Sequence, residues 1–440
     1  MKSIIATTLA SWAALSSAET INFRDIGGVS VESGAPKDSA TAWANGNLLN
    51  ETLKSLKPDD VFYFPDETYF VMGGIVGGNF SDVTFQIDGT LMFSDDIDEW
   101  PRDENGNVFE CFHLTNVDKV TFTSSTTGTL DGQGQRWWGI PGIGYLVRGE
   151  NRPRLFNIES SSNILVENMF FLDSPYWTFW VHGVDGLEVR HSAIEARRSD
   201  IDNHNLIDMT AFNTDGFDVS GNNVWIHDCQ VWCQDDTIAV KGTSTNMLFE
   251  RINASGVGLT IGSIGGTDHV KNITFRDSIL PNTYKGIYMK FRDGDEAVIE
   301  DVLYENITIE NPSQWPIWIG PAQQSDSSRL CAAHPCSICW PYIPNTECNP
   351  SSSQYRNIVL RDITINNAKM SPGVVLAADD APMEGVVFHN VVFNNPGDTP
   401  WGDDYYNCEG VDSGVATGST WPVPPCFEDR TDRALAAASK

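Results

Sequence analysis

A short strand-like phrase returns along this chain, and its recurrence limits the fold more than any other feature. Runs begin at Asn163, Leu187, Val224, Met247, Ile273, Val302, Ile358 and Val386, and most steps between them are 23–29 residues. Each reads apolar-x-apolar-polar-polar-x-apolar or a close variant, so side chains point alternately in and out before the chain bends. Val83 to Phe93 and Val120 to Leu130 carry earlier copies. One such unit cannot bury its apolar face alone, and stacked units can. No helical segments alternate with the strands, which argues against a doubly wound α/β fold. A β-sandwich is the competitor, but its strands return every 8–12 residues or so. The expectation is an all-β chain coiled as a parallel solenoid.

Solenoids grow by adding coils, so 440 residues need not be divided into several domains. Residues 19–440 are expected to form one domain, with a cysteine-rich insertion at about 321–350 in the long step from Val302 to Ile358. Ser39 to Leu56 predicts the one helix. Its Ala42, Leu48, Leu49, Leu53 and Leu56 form an apolar stripe, and Pro58 stops it. Such a helix would cap the open end of the solenoid. Residues from Thr431 on read as a frayed tail or a short terminal helix.

Met1-Lys2-Ser3, an apolar run from Ile4 to Leu15 and the small residues Ser16-Ser17-Ala18 read as a secretory signal peptide over 1–18. The run is too short for a membrane span, so no membrane partner is expected. A formal charge of -31 disfavours nucleic acid and acidic membranes as partners. The charge suits an acidic extracellular medium, where carboxylates are partly protonated, or serves solubility alone. Nine cysteines in a secreted chain predict disulfides with one thiol left over. Cys331, Cys336, Cys339 and Cys348 crowd one loop, Cys408 and Cys426 bracket a polar stretch, Cys229 and Cys233 flank a strand, and Cys111 stands alone. The first group could also be read as a zinc site, but a secreted chain favours disulfides, and no metal or other cofactor is expected. Asn50, Asn79, Asn253, Asn272 and Asn306 are glycosylation sequons.

The chemistry gathers in two acidic turns. Asn213-Thr214-Asp215-Gly216 comes first and Gln234-Asp235-Asp236 follows, with the alternating run Val224-Trp225-Ile226-His227-Asp228 between them. Strand, turn and return make one coil, so stacking would set Asp215 beside Asp235 and Asp236 on one face. Aspartates are common in turns for backbone reasons alone. Brought together, three carboxylates shift one another's proton affinity, and one can stay protonated while its neighbours ionise. That is equipment for hydrolysing a glycosidic bond, with an acid for the leaving oxygen and a base for water.

The chain resembles glycoside hydrolase family 28, the polygalacturonases. That family's ordered motifs are N-T-D, Q/G-D-D, G-H-G and R-I-K. Here they stand as Asn213-Thr214-Asp215, Gln234-Asp235-Asp236, Gly256-Val257-Gly258 and Tyr288-Met289-Lys290. With the repeat, the resemblance implies a single-stranded right-handed parallel β-helix. It implies Asp235 as general acid, with Asp215 and Asp236 activating water, and inversion would set acid and base roughly 6.5–9.5 Å apart. It makes Lys290 and Tyr288 substrate-binding positions. Asn213 is a further substrate-site candidate, read as orienting Asp215 or joining an asparagine ladder more than as touching the sugar itself. Two departures stand out. Val257 replaces a histidine and Tyr288 replaces an arginine that helps grip the substrate carboxylate. Arg292 would point the same way as Lys290 if the strand continues, and could restore the second cation. The cysteine pair that the family often places after Asp-Asp and before G-H-G is absent at Thr237 and Asn253. These substitutions resemble a fungal exo-acting galacturonidase subgroup, which implies a secreted, monomeric, cofactor-free enzyme acting on pectic polysaccharide. The alternatives are a rhamnogalacturonan hydrolase, a pectate lyase and a non-catalytic carbohydrate-binding β-helix. His182, His227 and His269 read as structural. Trp177, Trp180, Trp225 and Trp232 are core aromatics or a sugar platform.

Overall fold

The computed structural model describes residues 18–140, 149, 151–199, 204, 208–292, 296–322 and 352–438. The expected signal peptide, apart from Ala18, and the Cys331–Cys348 group lie outside the described residues. Among the described residues, twenty-eight strands join in one sheet that winds around the molecule, and each pairing between them is parallel. The result is a right-handed parallel β-helix.

The repeat becomes a column. Val83, Val120, Ile164, Leu187 and Val224 pair rung to rung, and Met247, Ile273, Val302, Ile358 and Val386 continue the line. All ten are buried. Like sits on like elsewhere in the core, where Phe249, Phe275 and Tyr304 stack at 4.7 and 4.6 Å. Regular stacking buries each apolar face against the next coil at near-crystalline density.

Asparagines make the bends. Asn246, Asn272, Asn282, Asn311, Asn367 and Asn395 adopt left-handed backbone angles, which asparagine tolerates better than most residues. Their amides then bond across coils. Asn272 donates to Asn246 at 2.8 Å and Asn246 to Asn222 at 3.0 Å. Asn311, Asn367 and Asn395 form a second ladder above Asn282. Each ladder satisfies turn amides that would otherwise be exposed at every bend.

The predicted helix, α1 (Ser39–Leu53), lies across the first coils. Asp38 caps it by accepting from the Thr41 N–H at 2.8 Å. Ala42, Leu49 and Leu53 are buried, and Leu48 and Leu56 pack partly buried against the core. It ends three residues earlier than expected because Ser55 closes the last turn onto the Thr52 carbonyl. Asn45 locks it down, bonding Val29 through both amide atoms and also the Phe70 carbonyl. The residues after Thr431 form a short helix, Asp432–Ala438.

The cysteines correct one expectation. Cys408 and Cys426 form a disulfide, but Cys111, Cys229 and Cys233 are all free and buried, rather than one thiol being left over. Each is enclosed within a coil; Cys229 donates to the His227 carbonyl and Cys233 to that of Asp235. Burial raises the Cys111 and Cys233 thiols well above their ordinary value, which makes them inert.

The five sequons differ in access. Asn79 and Asn253 are exposed. Asn50 is half-buried and spends both amide atoms joining α1 to the Gly74–Val76 backbone. Asn272 and Asn306 are exposed but donate into turn ladders. Glycopeptide mass spectrometry of the protein expressed in a glycosylating host should find glycans at Asn79 and Asn253 and an unmodified Asn50.

Candidate active site

One face of the helix is built from strand starts that stack in register. Phe217, Ile238, Leu259, Ile287 and Ile317 pair in sequence and point inward. Their outward neighbours form a second column, Asp218, Ala239, Thr260, Tyr288 and Trp318. The acidic turns feed the first two of these rungs. Gly216 N–H donates to the Asp236 carbonyl at 2.8 Å, so Asp215 and Asp236 ride on adjacent coils. A Cβ at Gly216 would stand 2.3 Å from the Thr237 carbonyl oxygen, which is why glycine follows Asp215.

Asp215, Asp235 and Asp236 meet as the motifs predict. All are buried, and one oxygen from each lies within 4.8 Å of the others. Nearest oxygens this close fall below the roughly 6.5–9.5 Å that separates whole carboxyl groups in an inverting pair. The fold brings them together: Asp235 and Asp236 are consecutive in one turn, and Asp215 rides on the adjacent coil, whose strand stands about 4.8 Å away.

Each carboxyl has its own partners. Asp236 Oδ2 accepts from Lys290 Nζ at 2.9 Å, and Oδ1 accepts from the Thr260 hydroxyl at 2.8 Å. Asp235 Oδ1 accepts the Asp236 N–H at 2.9 Å, and Oδ2 accepts Asn213 Nδ2 at 3.2 Å. Asn213, at φ 61°, therefore orients Asp235 rather than Asp215. Buried Arg152 fixes Asn213 in turn, donating to its side-chain oxygen and to the Phe212 carbonyl. Asp215 Oδ1 is buried without a protein hydrogen bond.

Electrostatics separates the roles. Burial, then the Asp236 charge, pushes Asp235 up to about 6, while Lys290 works against the rise. Burial, then Asp218 and Asp235, raises Asp215 well above the ordinary carboxylate range. Burial opposes the Lys290 charge, and the neighbouring Asp236 more than offsets it, so this ammonium is raised. Three acids this close could ligate a cation, but Lys290 and Lys241, 2.9 and 4.0 Å from Asp236 Oδ2, oppose one.

The other named residues fall into place differently. Val257 is half-buried against the Tyr288–Trp318 wall, and its N–H donates to the Asp235 carbonyl. Tyr288 is buried with Lys290 Nζ 4.2 Å from its ring centre. The strand Ile287–Phe291 ends before Arg292, so the alternation that would align Arg292 with Lys290 stops; Arg292 is exposed. His182 stacks on Trp180 and bonds Ser220, and His227 sits between Asp228 and Glu188.

Sequence reasoning missed several members. Lys241 pairs with Asp218 at 3.2 Å, and burial raises Asp218 even so. Lys285 is buried beside Tyr288. His204 bonds Gln234, the residue before Asp235, at 2.9 Å and Ser255 at 2.8 Å. Burial pulls His204 down to about 4, so it serves as a neutral imidazole. Lys241 and Lys285 carry a signal in retrospect, since each lies one strand from a motif residue. Arg152 and His204 carry none, because they arrive from loops.

Stacked coils with a buried cluster of acids on one face define a parallel β-helical protein with an acidic site. Residues 69–417 match the sequence profile of glycosyl hydrolases family 28, and the chain belongs to that family. It is 28% identical over 312 residues to an endopolygalacturonase of Emericella nidulans, covering 68% of this chain and 72% of that one. It is 27% identical over 280 residues to a probable rhamnogalacturonase E of Aspergillus flavus, covering 62% and 55%. It spans about half the length of several Aspergillus endopolygalacturonases that it also matches. In fold it is similar to an exopolygalacturonase of Thermotoga maritima, with TM-score 0.62, 16% identity and 85% and 87% coverage.

A raised carboxyl destabilises its fold once it must ionise. The unfolded Asp235 ionises near 3.8 and the folded one near 6, so stability falls as pH rises between these values. Asp235→Asn should therefore unfold at a higher temperature than the native protein at pH 7, by about 1–3 kcal/mol of stability. The difference should vanish below pH 4 in a calorimetric series.

Proposed function

We propose that this protein is a secreted, monomeric hydrolase of pectic polysaccharide that releases galacturonic acid from the non-reducing end of polygalacturonate. The observation that carries the hydrolytic reading is Asp235, buried with a raised proton affinity, beside Asp236, whose two oxygens are held by Lys290 and Thr260. Asp235 protonates the leaving oxygen. Asp236, with Asp215, holds the attacking water. No described helix is long and apolar enough to cross a membrane. The leader over 1–18 supports secretion, and the substitutions at Val257 and Tyr288 support the exo-acting subgroup.

We assign inversion. The close spacing of the acids is nearer the roughly 5–5.5 Å of retaining enzymes. Against that, Asp236 has both oxygens engaged, and Asp215 holds its proton strongly, so neither is well disposed to bond a sugar carbon. Asp236 can still accept a proton from water beside it.

The rhamnogalacturonan reading has its own support in the apolar Val257–Tyr288–Trp318 wall, which stands where the resemblance places a histidine and a cation. It also draws on the relative named as a probable rhamnogalacturonase. Product chromatography on both polymers at pH about 4–5 separates the two. Monomeric galacturonate from the first time point, with polymer viscosity nearly unchanged, is expected. Short oligomers at the start would mean endo action, and products from rhamnogalacturonan alone would overturn the substrate. An unsaturated product absorbing in the ultraviolet would mean elimination, as in a lyase.

Asp235→Asn should lower kcat about 100–10,000-fold, the share that general acid catalysis supplies; full activity in that variant removes the acid. Proton NMR of the first-formed reducing end should show the β-anomer from an α-linked substrate, and the α-anomer would mean that the close acids work by double displacement.

A further inference from the structure

Three lysines line the face that carries the acids, and they are not equivalent. Lys241 is paired with Asp218 at 3.2 Å and Lys290 with Asp236 at 2.9 Å. Lys285 is 3% exposed, yet no carboxylate lies within ion-pair distance of it among the described residues. Its ammonium donates to Gln314 Oε1 at 2.6 Å, a neutral group, and otherwise meets aromatic faces. Its Nζ is 4.7 Å from the ring centre of Tyr288 and 5.9 Å from that of Trp318. Burial first, and the Lys290 charge second, pull Lys285 down to about 7, against the attraction of Asp236 and Asp235.

A buried ammonium without a counter-charge is strongly disfavoured. An aromatic face and a neutral acceptor offset only part of that. An uncoupled lysine held this way is a site short of one anion. Its position says which anion. Lys285 and Lys290 both lie against the Tyr288 ring, and Lys290 is tied to Asp236. A carboxylate accepted by Lys285 therefore belongs to a sugar unit next to the bond that Asp235 cleaves. The flat walls of Tyr288 and Trp318 suit a pyranose face.

We propose that Lys285 is the uronate-recognition residue of this site, taking the carboxylate of the galacturonosyl unit beside the scissile bond and supplying the second cation that Tyr288 displaces. This rests on the pectic reading above. It assigns to Lys285 the role that exposed Arg292 is poorly placed to fill. The ligand class is a free sugar carboxylate, so a methyl-esterified unit, which lacks the charge, should be disfavoured.

The test is steady-state kinetics of the full-length protein on an oligogalacturonate of defined length and on its methyl ester. Lys285→Met should raise KM for the free acid about 10–50-fold, with a smaller change in kcat, and narrow the preference for acid over ester by a similar factor. Lys285→Gln keeps a donor for Gln314 and removes only the charge, so it should show the same rise. Lys285→Arg should recover most of the affinity. A KM that does not move in the Gln and Met variants, or a loss confined to kcat, would overturn the proposal. If the native protein cleaves neither galacturonate substrate, the pectic reading itself fails, and that outcome is distinct from an unmoved KM in an active enzyme. Thermal unfolding of both variants should be at or above the native temperature, since an unpaired buried charge has been removed.

Discussion

The distance between stacked coils governs this protein. Parallel strands sit about 4.8 Å apart, and two acidic turns on neighbouring coils whose side chains point the same way bring their carboxyls to that range. Asp215, Asp235 and Asp236 are held at that range by backbone pairing, with Gly216 bonded to Asp236 and Thr178 to Asp215. Burial and mutual repulsion then act together to raise Asp235 and Asp215. The proton that an acid catalyst needs is thus a product of the fold's pitch as much as of the residues. Lys290 and Lys241 limit the repulsion around Asp236.

The rest of the solenoid makes that concentration of charge tolerable. Ten rungs of one buried apolar column, stacked aromatic rings and ladders of turn asparagines give each coil a firm neighbour on both sides. Each coil is stabilised by its nearest neighbours, so the cost of the buried acids is borne locally by the strands Phe217–Trp232, Asp236–Val240 and Gly258–Ile264. The surrounding shell is aimed rather than merely packed. Arg152 holds Asn213, Asn213 holds Asp235, and His204 and Tyr284 hold Gln234. This is the arrangement by which positioned groups keep an acid in one geometry.

Much of this was legible in the sequence, for a physical reason. The repeat at Val224, Met247, Ile273 and Val302 is a column because side chains alternate and coils stack, so sequence order maps directly onto rungs. The three aspartates come together for the same reason. Lys241 and Lys285 were not legible as site members, because contacts across rungs depend on register, and register depends on turns of varying length. The carboxyl spacing was expected from the reaction and was instead set by the pitch. Arg292 was aligned with Lys290 by alternation that ends at Phe291. Arg152 and His204 come from loops, where no periodicity points to a partner. The three free thiols defeat pairing by count, since Cys229 and Cys233 are buried four residues apart along one extended run and Cys111 lies on another coil.

The claim on which the account turns is that Asp235 keeps its proton well above the ordinary range beside Asp236, which is bound to Lys290. The most direct measurement is the pH dependence of kcat/KM on a soluble galacturonate oligomer. The free enzyme's acid should set the alkaline limb, and the account places that limb near 6, as a property of the coupled cluster. A limb near pH 4, at the value of an unperturbed aspartate, would mean that the stacked coils do not hold the proton and that the chemistry lies elsewhere.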